Sequence, residues 1–95
     1  MQFMVLTRRS EAFVDADYTA ARLEDEAQAV RSLYLDGTVR QIWHRADIGG
    51  ACLIMEGETE DDVRQLLESL PLFAARMQEA VAIVPLSPYR GFGPR

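Results

Sequence analysis

The sequence predicts an α+β domain with its elements in the order β-α-β-β-α-β, and three observations carry that reading. The run Asp36-Gly37-Thr38-Val39-Arg40-Gln41-Ile42-Trp43 sets a glycine where a helix needs a left-handed terminating residue, then a β-branched and aromatic stretch that reads as a strand. Val63, Leu66, Leu67 and Leu70 fall at i, i+3, i+4 and i+7 and are followed at once by Pro71, so a helix with one apolar face stops where proline cannot continue it. The stretches Ala51 to Met55 and Ala80 to Leu86 are continuously apolar and read as strands.

In chain order, residues 2–7 form the first strand. The polar stretch from Arg8 to Asp17 is a loop ending in a helix cap at Asp15 or Asp17. The first helix runs to about Leu35, and Leu23, Ala27, Val30, Leu33 and Tyr34 share one face of it at 100° per residue. Strand two covers about Thr38 to Arg45, Ile48-Gly49-Gly50 supplies turn chemistry, and strand three covers Ala51 to Glu56 as the second arm of a hairpin. Thr59-Glu60-Asp61-Asp62 resembles a capping box with Asp in place of Glu, opening the leucine helix. Leu72 and Phe73 begin the next buried segment, and a final strand covers about Gln78 to Leu86.

This order gives a four-stranded antiparallel sheet with two helices on one face, the ferredoxin-like arrangement. A sheet wetted on one side should alternate, yet the last two strands do not, so the second face needs a cover. A second copy stacking sheet on sheet supplies it, which predicts a homo-oligomer, a dimer or larger. Residues 1–88 make the domain and residues 89–95, rich in Pro and Gly, a C-terminal tail. Tyr89 and Phe92 either fold over a pocket mouth, reach a neighbouring subunit, or stay disordered.

At 95 residues the core is thin, a second reason to expect association. A net charge of −5 and a pI near 4.7 argue against nucleic acid and anionic membrane surfaces as partners, since both require a basic footprint. All 10 basic residues are Arg, which removes Schiff-base, Walker-type and general-base lysine chemistry. One Cys and one His offer no zinc or haem ligand set, and Cys52, inside an apolar strand, reads as a buried inert thiol. No metal and no cofactor are expected. The apolar start Met1 to Thr7 is too short for a signal segment and runs into Arg8-Arg9, so the cytoplasm is the expected location.

The two junctions, Asp36 to Trp43 and Leu70-Pro71-Leu72-Phe73, in this order and about thirty residues apart, resemble those of muconolactone Δ-isomerase, from about Glu24 to Pro88. That resemblance implies a dimeric α+β barrel, a cofactor-free enzyme of aromatic-acid catabolism, and an Asp-Glu pair that falls here on Asp25-Glu26. Val39, Gln41 and Ala51-Cys52 stand where the family carries more polar or aromatic residues, which implies a more apolar pocket and a larger, less charged ligand than muconolactone.

Five residues are candidates for the site. Glu26 lies at the edge of the apolar stripe, where burial would raise its pKa into the range useful for moving a proton; the plainer reading is a carboxylate that snorkels or pairs with an Arg. Arg40 either grips a substrate oxygen or meets an acid across the sheet. Strict alternation groups Arg40, Ile42 and His44 on one face of strand two and Val39, Gln41, Trp43 and Arg45 on the other. His44 is an alternative acid/base or a surface imidazole, with no nucleophile beside it for a triad. Trp43 and Tyr34 are candidates for substrate binding, with a structural role the competing reading for Trp43.

Three functions fit. The first is a cofactor-independent isomerase acting on a small lactone or oxygenated organic acid, with Glu26, Arg40 and His44 catalytic. The second is a tailoring enzyme on the same barrel, a cyclase, oxygenase or dehalogenase, on fold analogy alone. The third is a non-catalytic small-molecule-binding or assembly subunit.

Overall fold

The computed structural model of the chain describes residues 1–91. Strand β1 (Gln2–Arg9), helix α1 (Ala20–Leu35), strands β2 (Val39–His44) and β3 (Ala51–Glu56), helices α2 (Glu60–Glu68) and α3 (Pro71–Ala74) and strand β4 (Gln78–Pro85) follow in chain order. The four strands pair antiparallel in the order β2-β3-β1-β4, so the expected topology is present with one short extra helix. Phe92, one of the two tail residues considered from sequence, lies outside the described residues.

Register explains which side chains reach the core. Phe3 sits opposite Met55 and Pro85, and Val5 opposite Leu53 and Ile83, so these residues share the sheet face that carries the helices. Val63 and Leu67 of α2 close over them and are 0% and 1% exposed. Each such buried side chain contributes about 1.5–3 kcal/mol. The expected capping box is present: Asp62 N–H donates to Thr59 Oγ1 at 3.1 Å and Thr59 N–H donates to Asp62 Oδ2 at 3.3 Å.

Pro71 does more than stop α2. Leu70 before it is extended (φ −71°, ψ 141°), as a residue preceding proline prefers, and Pro71 then opens α3 at a position that needs no N–H. At the end of α1, Gly37 has φ +86°, Gly37 N–H donates to Tyr34 O at 3.2 Å and Thr38 N–H to Leu33 O at 2.9 Å. This Schellman closure is the glycine role expected from sequence.

Three expectations need correction. The cap of α1 is Thr19, whose Oγ1 accepts from Arg22 N–H at 3.3 Å; Asp15 and Asp17 instead belong to a 3₁₀ turn in which Asp17 accepts from Val14 N–H. Strict alternation fails in β2, where an irregularity between Val39 and Gln41 turns Val39, 1% exposed, to the helix side together with Ile42 and His44. The helix stripe also closes on the core only in part: Ala29, Val30 and Leu33 pack against it, yet α1 has no fully buried residue, and Leu23 and Tyr34 are 40% and 58% exposed. The reason is a cavity beneath that helix.

On the opposite sheet face Met4, Leu6, Cys52 and Ile54 are only partly covered, and Trp43, paired with Cys52, is 63% exposed. Cys52 is therefore a part-exposed thiol and not a core one. Among the described residues no helix is long and apolar enough to cross a membrane.

Candidate active site

Between α1 and the sheet lies a cavity of about 810 Å³, within the size range of small-molecule sites. Leu23, Ala27 and Val30 of α1 form its roof, Ile42, Ala51 and Leu53 its floor, and Leu70, Leu72 and Phe73 a side wall. The apolar stripe of α1 is thus real but borders a void along Leu23, Ala27 and Tyr34, while Val30 and Leu33 also pack against the core.

Glu26 reaches this cavity from the edge of the stripe. Leu72 N–H, one of the free donors in the first turn of α3, donates to Glu26 Oε1 at 3.0 Å. Burial raises the carboxyl pKa, and the Leu72 hydrogen bond opposes that rise without cancelling it. Glu26 is half-buried, has no arginine partner in an ion pair among the described residues, and its second oxygen accepts no hydrogen bond among them.

A polar row crosses the sheet at one end of the floor. His44 of β2 pairs with Ala51 of β3; Ala51 N–H donates to Thr7 Oγ1 at 3.0 Å; Thr7 Oγ1 donates to Gln78 Oε1 at 2.8 Å; and Gln78 faces Arg9 across β1 and β4. Thr7 is 1% exposed, and His44, Thr7, Arg9 and Gln78 all line the cavity. Gly50, with φ +145°, lets β3 start tight against Thr7, where a Cβ would collide with the Thr7 carbonyl.

Of the residues proposed from sequence, Glu26, His44 and Tyr34 line the cavity, with Tyr34 at its rim. Arg40 and Trp43 do not. Arg40 is the extra residue at the β2 irregularity, and its guanidinium lies beside Gly37, beyond the far end of α1. From Glu26 to that end is about 15 Å along the helix axis at 1.5 Å per residue. Trp43 stands on the opposite sheet face, away from the cavity. Sequence reasoning missed Arg9, Thr7 and Gln78. The signal is the period-2 series Phe3, Val5, Thr7, Arg9, which a strand over residues 2–7 cuts short and which β1 completes by running to Arg9.

Among the described residues no group of three or more His, Cys, Asp or Glu side chains could hold a metal ion. What the cavity offers is acid-base chemistry: a carboxylate with a raised pKa above an apolar floor, and imidazole, amide and guanidinium groups at one end.

No curated protein sequence matches the chain. A solved structure similar to it is the 5-chloro-2-hydroxyhydroquinone dehydrochlorinase of Burkholderia phenoliruptrix AC1100 in complex with 2,5-dihydroxybenzoquinone, at 20% identity over 96% of both chains with a TM-score of 0.61. At that identity the likeness speaks for the fold. The family model of muconolactone delta-isomerase matches residues 1–91, almost the entire sequence, and the chain belongs to that family.

Proposed function

We propose that this protein is a cofactor-independent isomerase that shifts a double bond in a small unsaturated lactone or related oxygenated acid, with Glu26 as the proton carrier. The observation that carries the reading is Glu26 itself, a half-buried carboxylate with a raised pKa at the wall of a largely apolar cavity. Family membership supports an enzyme of this barrel.

The chemistry balances without a co-reactant. One Glu26 oxygen takes a proton from a carbon conjugated to the lactone carbonyl; the C–H bond breaks, an O–H bond forms, and the electron pair spreads onto the carbonyl oxygen as a dienolate. The same proton, or one exchanged with water, returns from Glu26 to the other end of the conjugated system, giving an isomer and the starting carboxylate. Leu72 N–H holds the carboxylate in place through both steps. His44, at the cavity floor, is the alternative acid/base.

The open sheet face supports association with a second copy. Met4, Leu6, Ile54 and Trp43 form an apolar surface on the side away from the helices, of the kind two sheets bury when they stack.

The test is turnover of muconolactone and of related butenolides, followed by the change in ultraviolet absorbance as conjugation is lost. Glu26→Gln keeps size and the Leu72 hydrogen bond and removes the base. The expected loss is about 10²–10⁴-fold in kcat, and turnover equal to wild type would reject Glu26 as the proton carrier.

A further inference from the structure

We propose that Arg9 and Gln78 form an oxyanion-binding end of the cavity, held in register by Thr7, that selects planar ligands presenting a carbonyl or phenolic oxygen at one end of an otherwise apolar body. This names the ligand class for the cavity assigned above and rests on that assignment for its catalytic meaning, though not for its test.

Arg9 and Gln78 are Cα partners on β1 and β4, so their side chains leave the same face about 5 Å apart. The Arg9 guanidinium stacks on the Tyr18 ring at 4.1 Å, and the Tyr18 hydroxyl donates to Met77 O at 2.6 Å, which anchors the platform. Arg9 has one ion-pair partner among the described residues, Asp15, at 3.6 Å; that carboxylate is fully exposed and competes weakly. Stacking occupies the face of the guanidinium and leaves its edge donors for an oxygen.

Thr7 decides how the Gln78 amide points. Its buried oxygen already accepts from Ala51 N–H, so the hydroxyl proton must find an acceptor, which is Gln78 Oε1. With the oxygen so engaged, the amide nitrogen is left as a donor, and among the described residues it has no hydrogen-bond partner. A neutral donor and a cationic donor thus stem from paired positions at one end of the cavity, whose lining also includes apolar Leu53, Ala27 and Leu23. As a dienolate forms, its charge grows at the oxygen such donors would hold.

The test is optical titration with 4-nitrophenol, whose neutral and ionised forms differ in colour. The wild-type protein should bind the phenolate in preference to the phenol. Gln78→Glu keeps the acceptor for Thr7, removes the donor and adds a negative charge; it should reverse that preference. Arg9→Gln should weaken phenolate binding about tenfold. Thr7→Val, which frees the amide to turn over, should weaken it less, and Thr7→Ser should restore it, a pattern that a packing role alone would not produce. Glu26→Gln should leave the phenolate preference in place, so a failure of the proton-carrier assignment is separable from a failure here. Absence of phenolate binding, a preference for the neutral phenol in the wild type, or wild-type affinity in Gln78→Glu and Arg9→Gln would overturn the proposal.

Discussion

The backbone N–H of Leu72 donates to Glu26 Oε1 at 3.0 Å, tying the carboxylate of one helix to the first turn of another 46 residues away. The proline that opens α3 creates this donor, because a helix start leaves N–H groups without partners. Glu26 is thus fixed while its burial favours the protonated form.

That balance gives a sign to the pH dependence. The folded chain holds the Glu26 proton more firmly than the unfolded chain, whose value is near 4.5, so the contribution of this residue to stability is full at low pH and is lost as pH rises through the folded-state pKa. Activity that needs the carboxylate rises over the same window. Glu24, Arg9, Arg31 and His44 also face the cavity, so the slope belonging to Glu26 is the part missing in Glu26→Gln. Thermal melts of both proteins across pH 4 to 8 measure it: about equal near pH 4, with the variant gaining relative to wild type above it.

The cavity divides the two helices energetically. Leu67→Ala empties a site that is 1% exposed and should cost about 2–5 kcal/mol in denaturant unfolding. Leu23→Ala, on the helix lifted by the cavity, should cost less than about 1 kcal/mol. Equal losses would mean that Leu23 is packed as tightly as Leu67.

Gly50→Ala adds a Cβ against the Thr7 carbonyl in a backbone conformation that side chains avoid. It should destabilise by about 2 kcal/mol or more and displace Thr7 from Ala51. Chemical denaturation reads the first effect, and weaker 4-nitrophenolate binding reads the second.

The open sheet face should be buried by a second copy. Light scattering of the wild type should give a dimer or larger, and Ile54→Asp, a charge in the middle of that face, should give a monomer with Trp43 emission shifted to the red. A monomeric wild type would contradict the stacked-sheet arrangement.

Much of the fold was legible because local chemistry and global topology agree. Gly37, the Thr59 cap, the leucine spacing of α2 and Pro71 each specify a boundary with residues a few positions apart. The site was legible only in part. Glu26 stood out as an acid at the edge of an apolar stripe. Arg40 falls outside the cavity because it is itself the extra residue in β2: the irregularity removes it from the series with Ile42 and His44 and puts Val39 there instead, and it has no local signature in Val39-Arg40-Gln41. Arg9 and Gln78 meet only through pairing of the first and last strands, a contact between residues 69 positions apart that periodicity cannot reveal.

The most direct test of the account is proton NMR of a butenolide incubated in deuterated water with the wild-type protein and with Glu26→Gln. The account predicts enzyme-dependent deuterium incorporation at the carbon beside the lactone carbonyl, slowed about 10²–10⁴-fold in the variant. Incorporation at the same rate in both proteins would contradict it.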